Sequence, residues 1–168
     1  TSGAIGGFAS WNDASNAAIT RSYSTGTVTN TGSGGTVGGF IGWAESPVTN
    51  SYTLSSIVSV SDAGGFVGDI GGANGDISNC YAANTLTGGG THLGFVKSNW
   101  GGGALSKNMW DSSVSGISTG SVAGQYEAKS TAQMQSVSTI NASGFNWDLT
   151  NVWQNLGGQH PRLIDTSK

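Results

Sequence analysis

A repeat of about 29 residues runs through the first two thirds of the chain and constrains the fold more than any other feature. Three sets of residues carry it. They are Tyr23, Tyr52, Tyr81 and Met109, spaced by 29, 29 and 28 residues; Val28, Ile57 and Leu86, spaced by 29; and Phe8, Phe40, Phe66 and Phe95, spaced by 32, 26 and 29. Periods of 20–50 residues are typical of solenoids, propellers and repeat arrays.

Each unit consists of short alternating segments separated by Gly, Asn and Asp, which is the pattern of strands and turns. A propeller blade needs about 40 residues, so units of this length favour a solenoid instead. We therefore predict an all-β fold, a β-solenoid of about four 29-residue repeats. Stacking one unit per coil places the phenylalanines in one internal column, the Tyr/Met set in a second and the Val/Ile/Leu set in a third. The Gly-Gly before Phe8, Phe40 and Phe66 predicts either a positive φ or a close backbone approach.

The composition excludes several classes of protein. Gly, Ser, Thr and Asn make up half of the chain, but 36% hydrophobic residues and six Trp argue against a disordered linker. A net charge of −3 with six Lys and Arg offers no basic surface, so we expect no nucleic-acid partner. No apolar run reaches the roughly 18 residues of a membrane span. The single cysteine excludes an internal disulfide framework.

The sequence changes character after about residue 112. Ser130 followed by Gln133 is a capping-box pattern that predicts one or two helical turns over 131–137. An aromatic-rich cluster then follows, made of Phe145, Trp147, Val152, Trp153 and Leu156. A solenoid needs its end covered. We therefore divide the chain into repeats over 1–112 and a capping segment over 113–168 that packs on the solenoid end.

Five short motifs stand out: Gly-Gly-Phe-Ile-Gly (38–42), Gly-Gly-Phe-Val-Gly (64–68), Ile-Ser-Asn-Cys-Tyr-Ala (77–82), Lys-Asn-Met-Trp-Asp (107–111) and His-Pro-Arg-Leu (160–163). They resemble the GLUG repeats of large bacterial surface adhesins and of some secreted bacterial enzymes. The resemblance implies a non-catalytic adhesion or display module in a secreted or cell-surface bacterial protein. The chain begins at Thr1 without a Met or a signal peptide, which predicts a piece of a larger polypeptide.

Residues for catalysis or metal binding are sparse. His92 and His160 lie far apart and no His-Glu-x-x-His motif occurs, while Cys80 lies in a strand pattern that predicts a buried, inert thiol. We therefore expect no enzyme activity. Oxygen ligands in one Gly-rich loop could bind Ca²⁺; they are Asp69, Asn74 and Asp76. Ordinary turn chemistry explains the same residues, and no other cofactor is indicated.

Two tryptophans share one repeat register, three residues after a core phenylalanine. Trp11 follows Phe8 and Trp43 follows Phe40, and Asp69 and Ser98 continue the register. Their parity predicts side chains that point outward or lie along a loop. With Trp100 they form a candidate platform for sugar rings, and the polar side chains nearby could bond hydroxyl groups: Asn12, Asp13, Glu45 and Asn99. Alternatively, these indoles cover the solenoid flank.

Two other surface functions remain open. The first is an accessory carbohydrate-binding module attached to a glycan-degrading enzyme, with the tryptophan platform as its site. The second is ice binding, because Thr25, Thr27 and Thr29 alternate on one strand and resemble the threonine ladders of ice-binding solenoids. A glycan or cell-surface ligand is the expected partner in the first case. The sequence leaves the ligand itself open.

Overall fold

The computed structural model describes residues 3–15, 18–120, 126–142 and 144–165, and the chain winds through them as a β-solenoid of about four coils. The strands of the first coil are β1 (Ala4–Gly6), β2 (Ala9–Asn12), β3 (Ile19–Thr20), β4 (Tyr23–Ser24) and β5 (Thr27–Asn30). Those of the second are β6 (Thr36–Gly38), β7 (Ile41–Ala44), β8 (Val48–Thr49), β9 (Tyr52–Thr53) and β10 (Ser56–Ser59). The all-β solenoid prediction is confirmed.

The later coils repeat this order and lead into the C-terminal segment. The third coil has β11 (Ala63–Gly64), β12 (Val67–Ile70), β13 (Ile77–Ser78), β14 (Tyr81–Ala82) and β15 (Leu86–Thr87). The fourth has β16 (His92–Leu93), β17 (Val96–Asn99), β18 (Leu105–Ser106) and β19 (Asn108–Asp111). The segment that follows has α1 (Ser112–Ser115), β20 (Tyr126–Lys129), α2 (Thr131–Met134), α3 (Val137–Ile140), β21 (Trp153–Gln154) and β22 (Arg162–Leu163).

Five parallel sheets run along the solenoid, each built from equivalent strands of successive coils. Sheet I is β1-β6-β11-β16, sheet II is β2-β7-β12-β17, sheet III is β3-β8-β13-β18, sheet IV is β4-β9-β14-β19-β20 and sheet V is β5-β10-β15. Strand β20 pairs in parallel with β19, so hydrogen bonding in sheet IV continues past residue 112. Only β21 and β22 pair antiparallel in the described chain.

The phenylalanine column forms the predicted ladder in the solenoid interior. Successive rings of Phe8, Phe40, Phe66 and Phe95 stack with centroids 4.8, 4.8 and 4.9 Å apart. The last three are fully buried, whereas Phe8 is 47% exposed because the first coil has no described coil above it. Val28, Ile57 and Leu86 also pair in register and belong to a second buried cluster.

Close backbone approach, rather than a positive φ, explains the Gly-Gly pairs before these phenylalanines. A Cβ added to Gly38 would meet the carbonyl oxygen of Ile41 and the backbone nitrogen of Gly68. Gly64 is confined in the same way by Val67 and Lys97. Any side chain at these positions would push neighbouring coils apart.

The tyrosine column lies outside the solenoid, so its predicted internal position is wrong. Cys80 and Ala82 pack in the phenylalanine cluster, whereas Tyr81 between them packs in a separate cluster with Trp147 and Trp153. The reason is a corner residue between sheets III and IV that adopts a left-handed conformation in every coil. These residues are Arg21, Asn50, Asn79 and Lys107, with φ between 49° and 58°. Such a corner breaks the strict alternation from which the inward position was inferred.

Two parts of the C-terminal segment cover different surfaces. Tyr126 of β20 closes the interior together with Trp110, which lies at the end of the fourth coil. Their rings lie 5.6 Å apart, and the Tyr126 ring lies 5.4 Å from Phe95. The later part lies on the outer face of sheet IV, where Trp153 approaches Tyr52 and Tyr81 to within 6.1 and 5.9 Å. The aromatic cluster predicted from the sequence therefore lies mainly on this outer face. Residues 145–163 are called the cover from here on.

The capping-box prediction is confirmed at α2. The Ser130 hydroxyl accepts a hydrogen bond from the backbone N–H of Gln133, and the side-chain Oε1 of Gln133 accepts one from the backbone N–H of Ser130. Asp111 caps α1, which the sequence analysis did not foresee, by accepting from Ser113 and Val114 N–H. The buried Asp111 carboxylate also bonds Thr131 and lies 2.8 Å from His160 Nε2. This one side chain joins three parts of the C-terminal segment. Among the described helices, none is long and apolar enough to cross a membrane.

Candidate functional site

Trp11 and Trp43 lie next to each other on the outer face of sheet II. They are directly paired between β2 and β7, and Asp69 and Ser98 continue the same row as predicted. The two ring centroids are 6.2 Å apart with an interplanar angle of 58°. Trp11 is 55% exposed and Trp43 is half-buried. Both indoles point outward, but their tilt makes an angled surface rather than a flat row.

The orientation of Trp43 is fixed by contacts on two sides. Its indole lies against the backbone of Gly71 on the next coil, where an added Cβ would collide with the ring. Its Nε1–H donates to Glu45 Oε1 at 2.9 Å, and Glu45 Oε2 accepts from Ala14 N–H at 3.4 Å. Trp43 therefore covers part of the flank and is held in one orientation. Glu45 holds the indole in place.

A cavity of about 350 Å³ adjoins the two indoles. Gly3, Ala4 and Thr36 complete its lining with Trp11 and Trp43, so the walls are mainly apolar with one hydroxyl side chain. Small-ligand sites begin at about this size and combine apolar walls with few polar groups. The cavity and the exposed face of Trp11 can accept the apolar face of a sugar ring.

The structure does not bring Trp100 and Asn99 to this site. Trp100 follows β17, two coils beyond Trp43, with β12 of the third coil between them. Its indole is 78% exposed, and in the described chain it makes no ring contact with the other two. Asn99 bonds within its own turn, donating to the Gly103 carbonyl and accepting from Gly102 N–H. Trp100 is an isolated exposed aromatic residue.

The two polar candidates beside Trp11 have different surroundings. Asn12 is buried and its amide donates to the Ser46 carbonyl at 3.0 Å, so it links two coils instead of facing a ligand. Asp13 is exposed, and its Oδ1 accepts from the hydroxyl and the backbone N–H of Ser15. The hydroxyl bond, followed by the backbone bond, lowers the pKa of Asp13 below its ordinary value. Of these two side chains, that of Asn12 is buried and that of Asp13 is exposed to solvent.

Each of the three candidate calcium ligands has different surroundings. The buried Asp69 carboxylate bonds Lys97 Nζ at 3.0 Å and also accepts from the Ser98 hydroxyl. Asp76 accepts from Ala104 N–H at 2.7 Å on the next coil, and Asn74 is exposed. Within the described ranges no group of three His, Cys, Asp or Glu residues is arranged to hold a metal ion. Asp76 therefore links two coils, and Asp69 forms an ion pair with Lys97.

Cys80 lies in the interior, as the sequence predicted. Its side chain is fully buried, and its thiol approaches the Ser78 carbonyl at 3.2 Å. Burial raises the pKa of the Cys80 thiol far above its ordinary value, with hydrogen bonding acting weakly in the opposite direction. A nucleophilic cysteine needs a lowered pKa and access to solvent, and Cys80 has neither.

Sequence reasoning missed a second cavity, of about 470 Å³, between the tyrosine flank and the C-terminal segment. Arg21, Tyr23 and Tyr52 line it from the solenoid, and Arg162 lines it from β22. One signal was available in the sequence, since Arg21 occupies a corner that is Asn50 and Asn79 in the next two coils. The partner across the cavity was not predictable, because Arg162 lies 141 residues away.

We compared the chain with protein families, curated proteins and solved structures to seek independent support for these sites. No family model matches the chain, and neither a curated protein nor a solved structure matches it.

Proposed function

We propose that the chain is a non-catalytic adhesion or display module of a larger secreted or cell-surface bacterial protein. The observation that carries this proposal is the exposed indole of Trp11 beside Trp43 on the outer face of sheet II. Exposed large aromatic residues are common at sites of molecular contact. The resemblance to GLUG repeats of surface adhesins supports the same assignment.

The scaffold suits a contact surface that must keep its shape. Side chains in one row are fixed by parallel backbone pairing between successive coils, as for Trp11 and Trp43. Few charges are present, at 9% of residues, so contacts on this surface depend little on salt. Hydroxyl, amide and aromatic groups then provide the recognition.

Carbohydrate binding is the second candidate, as an accessory module beside a glycan-degrading enzyme. The Trp11–Trp43 pair and its cavity of about 350 Å³ favour it, because indole faces pack against the apolar faces of sugars. Glu45 and Gly71 hold Trp43 in one orientation before a ligand arrives, which reduces the entropy lost on binding.

Ice binding has less support, because the threonine row is irregular. Thr29 pairs with Val58, which pairs in turn with Thr87, so an exposed valine interrupts the row. Thr27 pairs with Ser56. A measurement of ice recrystallisation inhibition tests this function directly, and activity at micromolar protein would favour it over adhesion.

Adhesion is tested with beads that carry the chain, the Trp11→Ala variant or the matched variant Val60→Ala. Val60 is also an exposed hydrophobic residue but follows sheet V, away from the tryptophan pair. We expect bead retention on cells or insoluble polysaccharide to fall tenfold or more for Trp11→Ala, the size of a binding hot spot, and to persist for Val60→Ala. Equal retention of both variants would exclude the tryptophan pair as the contact. Retention of the unsubstituted chain no better than albumin would exclude adhesion.

The sugar function is separated by pull-down on a panel of insoluble polysaccharides. Trp43→Ala removes the indole, and Gly71→Ala displaces it while leaving it in the chain. Both variants are expected to lose retention on the same polysaccharide. If Trp43→Ala binds as well as the unsubstituted chain, the indole pair is not a sugar site.

A further inference from the structure

The cavity on the tyrosine flank gathers an unusual share of the chain's positive charge. The sequence contains two arginines, Arg21 and Arg162, and both line this one cavity. They come from opposite ends of the chain, Arg21 from the first coil and Arg162 from β22. Asp165 also lines the cavity. Hydrogen bonds from Asn151 and, less strongly, the Arg21 charge lower the pKa of the nearby Asp148 carboxylate. Two guanidinium groups and two carboxylates therefore lie in and around this cavity.

Arg21 occupies a backbone position that suits other residues better. Its φ is 50°, and the equivalent corners of the next two coils are asparagines. Asn adopts this left-handed conformation several-fold more readily than most residues. One Arg21 nitrogen donates to the Asn151 carbonyl at 3.0 Å, which ties the cover to the first coil, and the guanidinium has further donors. Lys107 adopts the same conformation in the fourth coil, so it is the position of Arg21 in the cavity lining that distinguishes it.

Arg162 is placed by the β21–β22 hairpin. Residues directly opposite in an antiparallel pair lie on the same face, and Arg162 is opposite Gln154. The neighbouring pair, Trp153 and Leu163, occupies the alternate face, and Trp153 packs on the tyrosines. Gln154 and Arg162 both line the cavity, together with Leu163 and Ile164, so this region presents a guanidinium and an amide beside apolar side chains.

Aromatic surface completes the site. Tyr23 is the last ring of the tyrosine stack, parallel to Tyr52 at 5.1 Å and 7°. It is 56% exposed, whereas Tyr52 is nearly buried. Burial raises the pKa of the Tyr52 phenol, and the nearby Tyr23 raises it further while the Arg162 charge lowers it. Tyr52 thus presents a neutral, hydroxyl-bearing ring at physiological pH.

We propose that this cavity binds the carboxylate of an acidic sugar, a uronic acid within an oligosaccharide. The guanidinium groups recognise the carboxylate by charge-assisted, bidentate hydrogen bonds. The exposed Tyr23 ring packs against the apolar face of the pyranose, and Gln154 bonds a hydroxyl. This site is separate from the tryptophan pair and stands whether or not that pair binds sugar.

The test is isothermal titration with trigalacturonic acid, with its fully methyl-esterified form as the neutral probe of equal length. We expect the acid to bind and the ester to bind tenfold or more weakly. Arg162→Gln should weaken binding of the acid at least tenfold. Lys107→Gln, which removes one positive charge from the equivalent corner of the fourth coil, should change it less than about twofold. Tyr23→Ala should weaken binding, and Tyr23→Phe should retain it.

Several results would overturn the proposal: no binding of the acid at millimolar concentration, equal binding of acid and ester, or equal effects of Arg162→Gln and Lys107→Gln. Triglycine that binds as tightly as the acid would assign the cavity to peptide carboxylates instead. Loss of binding in Trp11→Ala would move the ligand to the tryptophan pair. Should Arg162→Gln fail to fold, raising salt from about 0.05 M to about 0.5 M replaces it, because binding that depends on guanidinium charge must weaken.

Discussion

Truncating one phenylalanine in the middle of the ladder measures how much the stacked core contributes to stability. Phe66 is fully buried, with one ring 4.8 Å away on one side and another 4.9 Å away on the other. Phe66→Ala removes both stacked contacts and leaves a cavity, and we expect a loss of about 4 kcal/mol in the free energy of unfolding. Phe8→Ala is the matched control, because Phe8 has one stacked neighbour and is half exposed.

The expected loss for the control is about 1 kcal/mol, the size of one aromatic pair with little cavity. Urea unfolding followed by circular dichroism distinguishes the two variants. With a slope of about 2 kcal/mol per molar, the midpoint should fall by about 2 M for Phe66→Ala and about 0.5 M for Phe8→Ala. Equal midpoints for the two variants would refute the view that nearest-neighbour stacking in the ladder sets the stability of the solenoid.

Three further predictions concern single groups. Asp111→Ala should lower the free energy of unfolding by about 2–4 kcal/mol, because a helix cap and the Thr131 and His160 contacts are lost together. Thermal melting measures this loss, and a change below about 0.5 kcal/mol, the size of a surface substitution, would contradict it. Cys80 should resist thiol-specific reagents until the chain is unfolded by urea, and labelling of the folded chain at the unfolded rate would show that the thiol is accessible. Burial raises the pKa values of Cys80 and Tyr81 above their ordinary 9.0 and 10.0, so the folded chain keeps protons that the unfolded chain releases. Their stabilising contribution should be complete below about pH 9 and decline as the pH rises further, seen as falling urea midpoints; midpoints that stay level to pH 11 would contradict it.

The stacking registers were predictable because they depend on spacing alone. The 29-residue interval places Val28 beside Ile57, and the shared position three residues after a ladder phenylalanine places Trp11 beside Trp43. The prediction that these two indoles point outward also followed from strand parity. The angle between them did not, because it depends on Glu45 and on the space above Gly71.

The position of the tyrosine column could not be read from alternation. Apolar residues at a regular spacing indicate a buried face, but either face of a sheet can be buried when another segment covers it. The left-handed corner at Asn50 and Asn79 breaks the alternation, and the cover on the outer face comes from residues near the C-terminus. Asparagine at this position is a usable signal. Arg21 and Lys107 conceal it in the first and fourth coils.

The cover also determines how the solenoid responds to mechanical force. Hydrogen bonds join it to three coils, from Arg21 to the Asn151 carbonyl, from Tyr81 to the Pro161 carbonyl and from Trp147 to the Lys107 carbonyl. A pull along the solenoid axis loads the hydrogen bonds between coils in tension, and on the tyrosine flank these three bonds share that load. Sheet V, on β5, β10 and β15, makes none of these three bonds to the cover. Rupture under tension should therefore begin at sheet V and proceed towards the tyrosine flank, which gives the module a weak side and a strong side.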